Sequence, residues 1–150
     1  MTLIFYLFIA LSTVVLIECV AWAVNKYIMH SPIGWLLHRS HHEPNHHALE
    51  KNDWYALIFA LPSVGGIVWG IETNSPIVLS VGIGVLVYGV LYVVFHDIIV
   101  HRRIKIHMVI NNIYLRRIIR AHKIHHKTLG RKDSQAFGFL YALKKFQNQK

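Results

Sequence analysis

Three long apolar runs, separated by polar stretches, organise this chain. From Leu3 to Val24, 22 residues pass with no Lys or Arg and a single acid, Glu18. As a helix rising about 1.5 Å per residue, that run extends roughly 33 Å, enough to cross a hydrocarbon core of about 30 Å. Trp54–Ile71 and Pro76–Phe95 are runs of the same kind. The pattern predicts an all-α protein: an integral membrane helical bundle with three to four transmembrane helices and a cytoplasmic His-rich cap. The spanning runs fall at about 3–30, 54–71 and 76–95, and the His-rich segments at 30–53 and 96–150. Residues 1–150 read as one domain.

Local signals set the boundaries. The first helix is expected to continue through "NKYIMH" to about His30, where Ser31-Pro32 breaks it. Asn52 or Asp53 is the expected N-cap of the second helix. Pro62 and Gly65-Gly66 predict a kink near its middle. Gly66, Gly70, Gly82, Gly84 and Gly89 predict close approach between helices in lipid. "NNIYLRRIIRAHKIHH" mixes apolar residues at 113, 115, 118, 119 and 121 with basic ones, and predicts an amphipathic helix along the headgroups. A marginal fourth span is the alternative for this region. The first run lacks a basic start and a small-x-small cleavage site, so it reads as part of the mature protein.

Charge changes the picture by its placement. The net charge is +9, and all 16 Lys and Arg residues lie either between the first and second runs or after the third. If the runs span, every positive charge falls on one face of the membrane. That distribution predicts a multi-pass membrane protein with its N-terminus outside and its His-rich segments in the cytoplasm. A basic apron against anionic lipid accounts for the charge, and the three spanning runs argue against a nucleic-acid partner. The single cysteine, Cys19, has no partner for an intrachain disulfide.

Twelve histidines remain to be explained. "HRSHH" at 38–42 and "HKIHH" at 122–126 are two copies of HxxHH. Residues three and four apart share one helix face, so His38, His41 and His42 can converge, as can His122, His125 and His126. His96 and His101 form a longer-spaced pair, and His30 makes nine. Nine imidazoles exceed what one ion takes, which predicts two metal ions. The bland alternative for either copy alone is a solvated helix face. His46, His47 and His107 read as incidental. Asp97 either orients the adjacent His96 or is a solvated helix-end charge. Glu18, within the first run, is either functional or bonded to a hydroxyl on a neighbouring helix. The chain shows no Ser/His/Asp or Cys/His nucleophile, no Gly-rich phosphate loop and no CxxC. A nitrogen-rich two-metal site beside lipid suits iron and oxidation by O2, with a zinc hydrolase as the alternative.

Taken together, "KYIMH", "HRSHHEP", "EKND", "HDIIVH", "RAHKIHH" and "FGFLY" resemble the bacterial β-carotene hydroxylases of the fatty acid hydroxylase superfamily, from about Glu18 to Tyr141. The resemblance implies a membrane non-haem di-iron monooxygenase that uses O2 to hydroxylate carbon 3 of a β-ionone ring. It implies a carotenoid substrate in the bilayer and electrons from a ferredoxin-type donor and NAD(P)H. Two Fe ions are the expected cofactors, with Zn possible as purified. The family's motif histidines fall on His30, His38, His41, His42, His96, His101, His122, His125 and His126. The chain departs at Asn25, where the family's first H-x-x-x-x-H motif begins with histidine. Asn25 is therefore a substituted ligand or a neighbour of one. Rival readings are a related hydroxylase or ketolase acting on another lipid or terpenoid, and a non-catalytic metal-binding membrane protein.

Overall fold

A computed structural model describes residues 2–43 and 49–147 of the chain. His46 and His47 lie outside the described residues. Helix α1 covers Leu3–Ala23 and continues as a π-helical stretch, Val24–Met29. A short helix, α2, covers Trp35–His42. Helices α3, Asp53–Glu72, and α4, Pro76–Tyr92, form a hairpin, and α4 also ends in a π-helical stretch, Val93–Val100. Helix α5, Ile113–Lys127, precedes a C-terminal segment that closes with a 3₁₀ turn at Lys144–Phe146. No strand forms among the described residues. The fold is the expected all-helical membrane bundle carrying a His-rich cap. Three helices, Leu3–Met29, Asp53–Glu72 and Pro76–Val100, are long and apolar enough to span; α5 is not, so the count among the described residues is three.

The spanning helices are apolar on every side and leave Leu3, Ile4, Phe8, Leu11, Leu61, Val64 and Trp69 more than half exposed. Such a surface suits lipid and not water. Where the helices meet, small residues let the backbones touch. A Cβ on Gly84 would lie 2.6 Å from the Ala10 carbonyl oxygen, and one on Gly82 would lie 2.7 Å from the Ile67 nitrogen. Glycine at these points is what permits α4 to pack on α1 and α3. Ser63 adds a hydrogen bond across the hairpin, its hydroxyl donating to the Gly82 carbonyl at 3.0 Å. Helix α3 runs unbroken through Pro62.

Two local expectations change. Asn52 stands at the N-cap of α3, but its side chain does not cap the helix. It is buried and turned toward His38 instead. Helix α5, for its part, is amphipathic as expected, but it turns Ile118 and Ala121 inward against Ala142 and Phe146 while Ile113 stays exposed, so the middle of its apolar stripe packs on protein. The driving force is the same burial of apolar area, met here by the C-terminal segment. That segment is tethered by Glu18. Its Oε1 accepts hydrogen bonds from the backbone N–H groups of Phe139, Leu140 and Tyr141 at 2.9–3.0 Å, and its Oε2 accepts one from the Tyr88 hydroxyl at 2.9 Å. The acid within the first run thus has four donors and holds "FGFLY" over the bundle.

Candidate metal centre

Nine histidines meet at the cap end of the bundle. His30, His38, His42 and His125 form one pocket, and His41, His96, His101 and His122 form a second; in each, four ligand nitrogens lie within 4.8 Å of one another. His126 belongs to neither set and stands between them, its ring 4.6 Å from His42 and 4.8 Å from His101, its Nε2 2.8 Å from that of His122. His107 is exposed and apart.

The spacing of each motif follows the geometry of the helix that carries it. HxxHH uses α-helical turns, where residues three and four apart lie on one side. Asn25/His30 and His96/His101 are five apart, which on an α-helix would put them about 140° out of line at 100° per residue. Both pairs fall on the π-helical stretches. The His30 N–H donates to the Asn25 carbonyl at 3.3 Å and the His101 N–H to the His96 carbonyl at 2.9 Å, each an i→i+5 bond. The wide turn brings both members of the pair to the same side, and such π segments recur at functional sites. A spacing of five at a helix end is the signal in the sequence that could have found them.

Hydrogen bonds fix the protonation of six of the nine rings. In the first pocket the Nδ1–H groups of His30, His42 and His125 donate to the carbonyl oxygens of Arg131, Thr128 and Gln135, each at 2.9 Å. That of His38 donates to Asn52 Oδ1 at 2.7 Å. In the second pocket His41 Nδ1 donates to Glu50 Oε2 and His96 Nδ1 to Asp97 Oδ1, both at 2.8 Å. Each of these oxygens can only accept, so the proton sits on Nδ1 and Nε2 presents a bare lone pair. Those lone pairs face one another: His30 and His125 at 3.4 Å, His38 and His42 at 3.2 Å, His41 and His96 at 3.0 Å. Two acceptors cannot hydrogen-bond, but a cation between them satisfies both. Nitrogens about 2.1 Å from one ion and 90–110° apart around it are separated by roughly 3.0–3.4 Å. The pockets therefore fit a metal ion each.

Burial reinforces the same state. Desolvation lowers His38 and His101 to about 3, His42 to about 4 and His125 to about 2. It also drives His41 and His122 well below the ordinary range, with neighbouring imidazoles adding to the effect. All are neutral at physiological pH, the form that ligates metal.

The sequence did not foretell Glu50, Asn52 and Arg103. Arg102 adopts a positive φ of 52° just after the second π-helical stretch. The chain turns there, and Arg103 N–H donates to the Asp97 carbonyl at 3.0 Å. The Arg103 guanidinium then reaches three carboxylates, Asp53 at 2.8 Å, Glu50 at 3.4 Å and Asp97 at 3.7 Å. Burial raises the Glu50 carboxyl above its ordinary range, and Arg103 opposes that. Asp97 is thus the orienting partner of His96. Asn25 is 2% exposed; its Nδ2 donates to the Phe137 carbonyl at 3.0 Å, while its Oδ1 has no hydrogen-bond partner. Phe137 packs against the rings of His30 and His125, which puts Asn25 on the flank of the first pocket.

An apolar cavity of about 450 Å³ lies below the cap between α1, α3 and α4, lined by Ala21, Met29, Phe59, Ala60, Gly89 and others. Its wall includes Tyr92 and Phe139, whose rings pack against His96 at 4.4 and 5.3 Å. The cavity and the second pocket are thus separated by single side chains.

No protein-family model matches the chain. No solved structure matches it. Characterised proteins do. A beta-carotene hydroxylase of a Paracoccus species is 41% identical over 138 residues, covering 89% of this chain and 82% of that protein. A beta-carotene hydroxylase of Pantoea ananas is 41% identical over 134 residues, covering 89% and 75%. The chloroplastic beta-carotene 3-hydroxylase of Haematococcus lacustris is 36% identical over 113 residues, covering 73% of this chain and 35% of that protein. Such identity, sustained over most of the bacterial proteins' length and across the helices that carry the histidines, means that this chain belongs to the β-carotene hydroxylase family.

Proposed function

We propose that this chain is an O2-dependent membrane monooxygenase that hydroxylates carbon 3 of the β-ionone ring of β-carotene, giving β-cryptoxanthin and then zeaxanthin, with two iron ions held by its histidines. The names of the relatives supply the substrate, and that of the Haematococcus protein the ring position. The observation that carries the reading is the contact between an apolar cavity and a nitrogen-lined pocket through Tyr92, Phe139 and His96. A volume of about 450 Å³ is within the roughly 300–1,000 Å³ of small-molecule sites.

Iron in the two pockets would supply the redox chemistry that activates O2, which zinc, able to occupy the same nitrogens in purified protein, cannot. In the balanced reaction a ring C–H becomes C–OH, the second oxygen atom leaves as water, and two electrons and two protons are consumed. The electrons come from a ferredoxin-type donor and ultimately from NAD(P)H. The chain's own part is to hold and exclude. The Nδ1–H bonds lock the rings with their lone pairs inward. The apolar walls take up a hydrocarbon ring from the bilayer and keep bulk water away from it. Glu18, by tethering Phe139, keeps that wall closed against His96. We place the whole chain in one domain of a bacterial inner membrane, N-terminus outside and cap in the cytoplasm, on the one-sidedness of the basic residues.

Expression in a host that accumulates β-carotene, followed by pigment chromatography, tests this directly. Conversion to hydroxylated carotenoids is the expected result. Persistence of unmodified β-carotene, in a host where a characterised hydroxylase converts it and this chain is present in the membrane, defeats the substrate assignment.

A further inference from the structure

The two pockets take the same kind of ligand but are backed differently. In the first, all four rings lean on neutral oxygens: three backbone carbonyls and the Asn52 amide. In the second, two of the rings lean on carboxylates, Glu50 and Asp97. Arg103 binds those two acids and Asp53 together. Three carboxylates against one guanidinium leave a formal charge of −2 beside the second pocket. No carboxylate hydrogen-bonds a ring of the first pocket among the described residues.

A carboxylate behind an imidazole raises the basicity of the nitrogen that faces the metal, and it fixes the ring's tautomer and orientation. It also adds a negative charge close to the cation in a region from which water is largely excluded, where such charges act strongly. A carbonyl oxygen fixes the tautomer equally well but supplies only a dipole. Arg103 reaches Glu50 at 3.4 Å and Asp97 at 3.7 Å and holds both carboxylates in place, and so acts on the metal through them as a positioning residue.

We propose that the two metal pockets are inequivalent by design of their supports: the pocket of His41, His96, His101 and His122 fills first and retains its ion, and the pocket of His30, His38, His42 and His125 holds the exchangeable one. This rests on the two-metal reading above. It gives the firmly held ion to the pocket that abuts the apolar cavity through His96, and leaves the exchangeable ion on the side of Asn25.

The test is a titration of the full-length, chelator-stripped protein in lipid nanodiscs with Co²⁺, followed by its visible ligand-field bands against a competing chelator. Two equivalents are expected, the first bound at least 10-fold more tightly than the second. Glu50→Gln and Asp97→Asn are expected to weaken the first step 10- to 100-fold and leave the second unchanged. Asn52→Asp, which puts a carboxylate behind His38, is expected to tighten the second step and leave the first alone. This gain does not depend on a destabilised variant, and helical circular dichroism confirms that each protein is folded. Two equivalents of equal affinity, or acid-to-amide changes that weaken both steps alike, overturn the inequivalence and leave the two-metal reading standing. Fewer than two equivalents bound by folded protein overturns the two-metal reading, and the inequivalence with it.

Discussion

In the 21 residues of Leu3–Ala23 only Thr13 and Ala21 are buried, whereas in the eight residues of α2 three histidines are. The spanning bundle and the cap invert the usual relation between polarity and burial. In the bundle, apolar side chains face outward to lipid, and the helices meet through glycines and a few hydroxyls. In the cap, imidazoles and carboxamides are inside, and six of the nine clustered rings have an oxygen behind them. The reason is the solvent. Lipid gives no hydrophobic reward for burying a leucine, so bundle contacts depend on closeness of approach. The cap is shielded from water yet filled with polar groups, so its stability depends on every donor having an acceptor and every lone pair a cation.

That contrast can be broken at either end. The largest expected effect lies in the cap. His125→Ala removes a fully buried imidazole of the first pocket, one of its four proposed ligands. It should lower bound metal from two ions to one and hydroxylation by at least about 100-fold, as read by metal analysis and pigment chromatography. Retention of both ions would remove His125 from the ligand set.

Next comes a bundle change that leaves the cap alone. A Cβ on Gly89 meets nothing within 4 Å, and this residue lines the apolar cavity. Gly89→Phe should fill the cavity without displacing a neighbour. We expect metal content and thermal stability to stay at wild-type levels while hydroxylation falls at least about 10-fold, since a 1 Å misplacement of substrate can cost 10²-fold. Undiminished turnover would mean that the ring binds elsewhere.

Gly84→Leu attacks the bundle's own packing, because even a Cβ there lies 2.6 Å from the Ala10 carbonyl oxygen and the Thr13 side chain. Overpacking of this kind costs roughly 1–3 kcal/mol, and the expected readout is a lower melting temperature in detergent. An unchanged melting temperature would show that α1 and α4 are not in contact in the membrane. The smallest effect is a gain. Asn25→His replaces a buried amide whose Oδ1 is unpartnered. It should raise occupancy of the first pocket or the hydroxylation rate by a few-fold, and equal values for both would take position 25 out of the metal's surroundings.

Much of the centre was readable before any coordinates, because its rules are local. HxxHH at α-helical spacing marks the rings that gather at the cap, although neither triplet forms one pocket: His41 parts from His38 and His42, and His122 from His125. His96 and His101 read only as a longer-spaced pair, and the wide turns at their spacing of five came with the structure. The family resemblance carried by these motifs agrees with relatives at 41% identity. What stayed hidden was non-local. His41 and His42 are neighbours in the chain, yet one residue is about 100° of helix rotation, and they face different pockets. Glu50 and Asn52 lie in a polar stretch that reads as a loop ending in a cap, and only the packing of α2 against it gives them His41 and His38 as partners. For Glu18 a hydroxyl on a neighbouring helix was one of the two readings, and Tyr88 supplies it, but the three backbone N–H donors lie more than 100 residues away and could not be foreseen.

By itself, then, the amino-acid order determined the three helices apolar enough to span, the grouping of basic residues outside them and the nine imidazoles that reach the cap. These depend on hydropathy and short-range periodicity, which the backbone expresses wherever the chain finds lipid. Only the tertiary structure decided how the nine divide into four, four and one, which oxygen backs each of six rings, and that the cavity wall of Tyr92 and Phe139 packs against His96. Those outcomes depend on contacts between distant segments, and a residue's type does not say which of its possible partners the fold will bring to it.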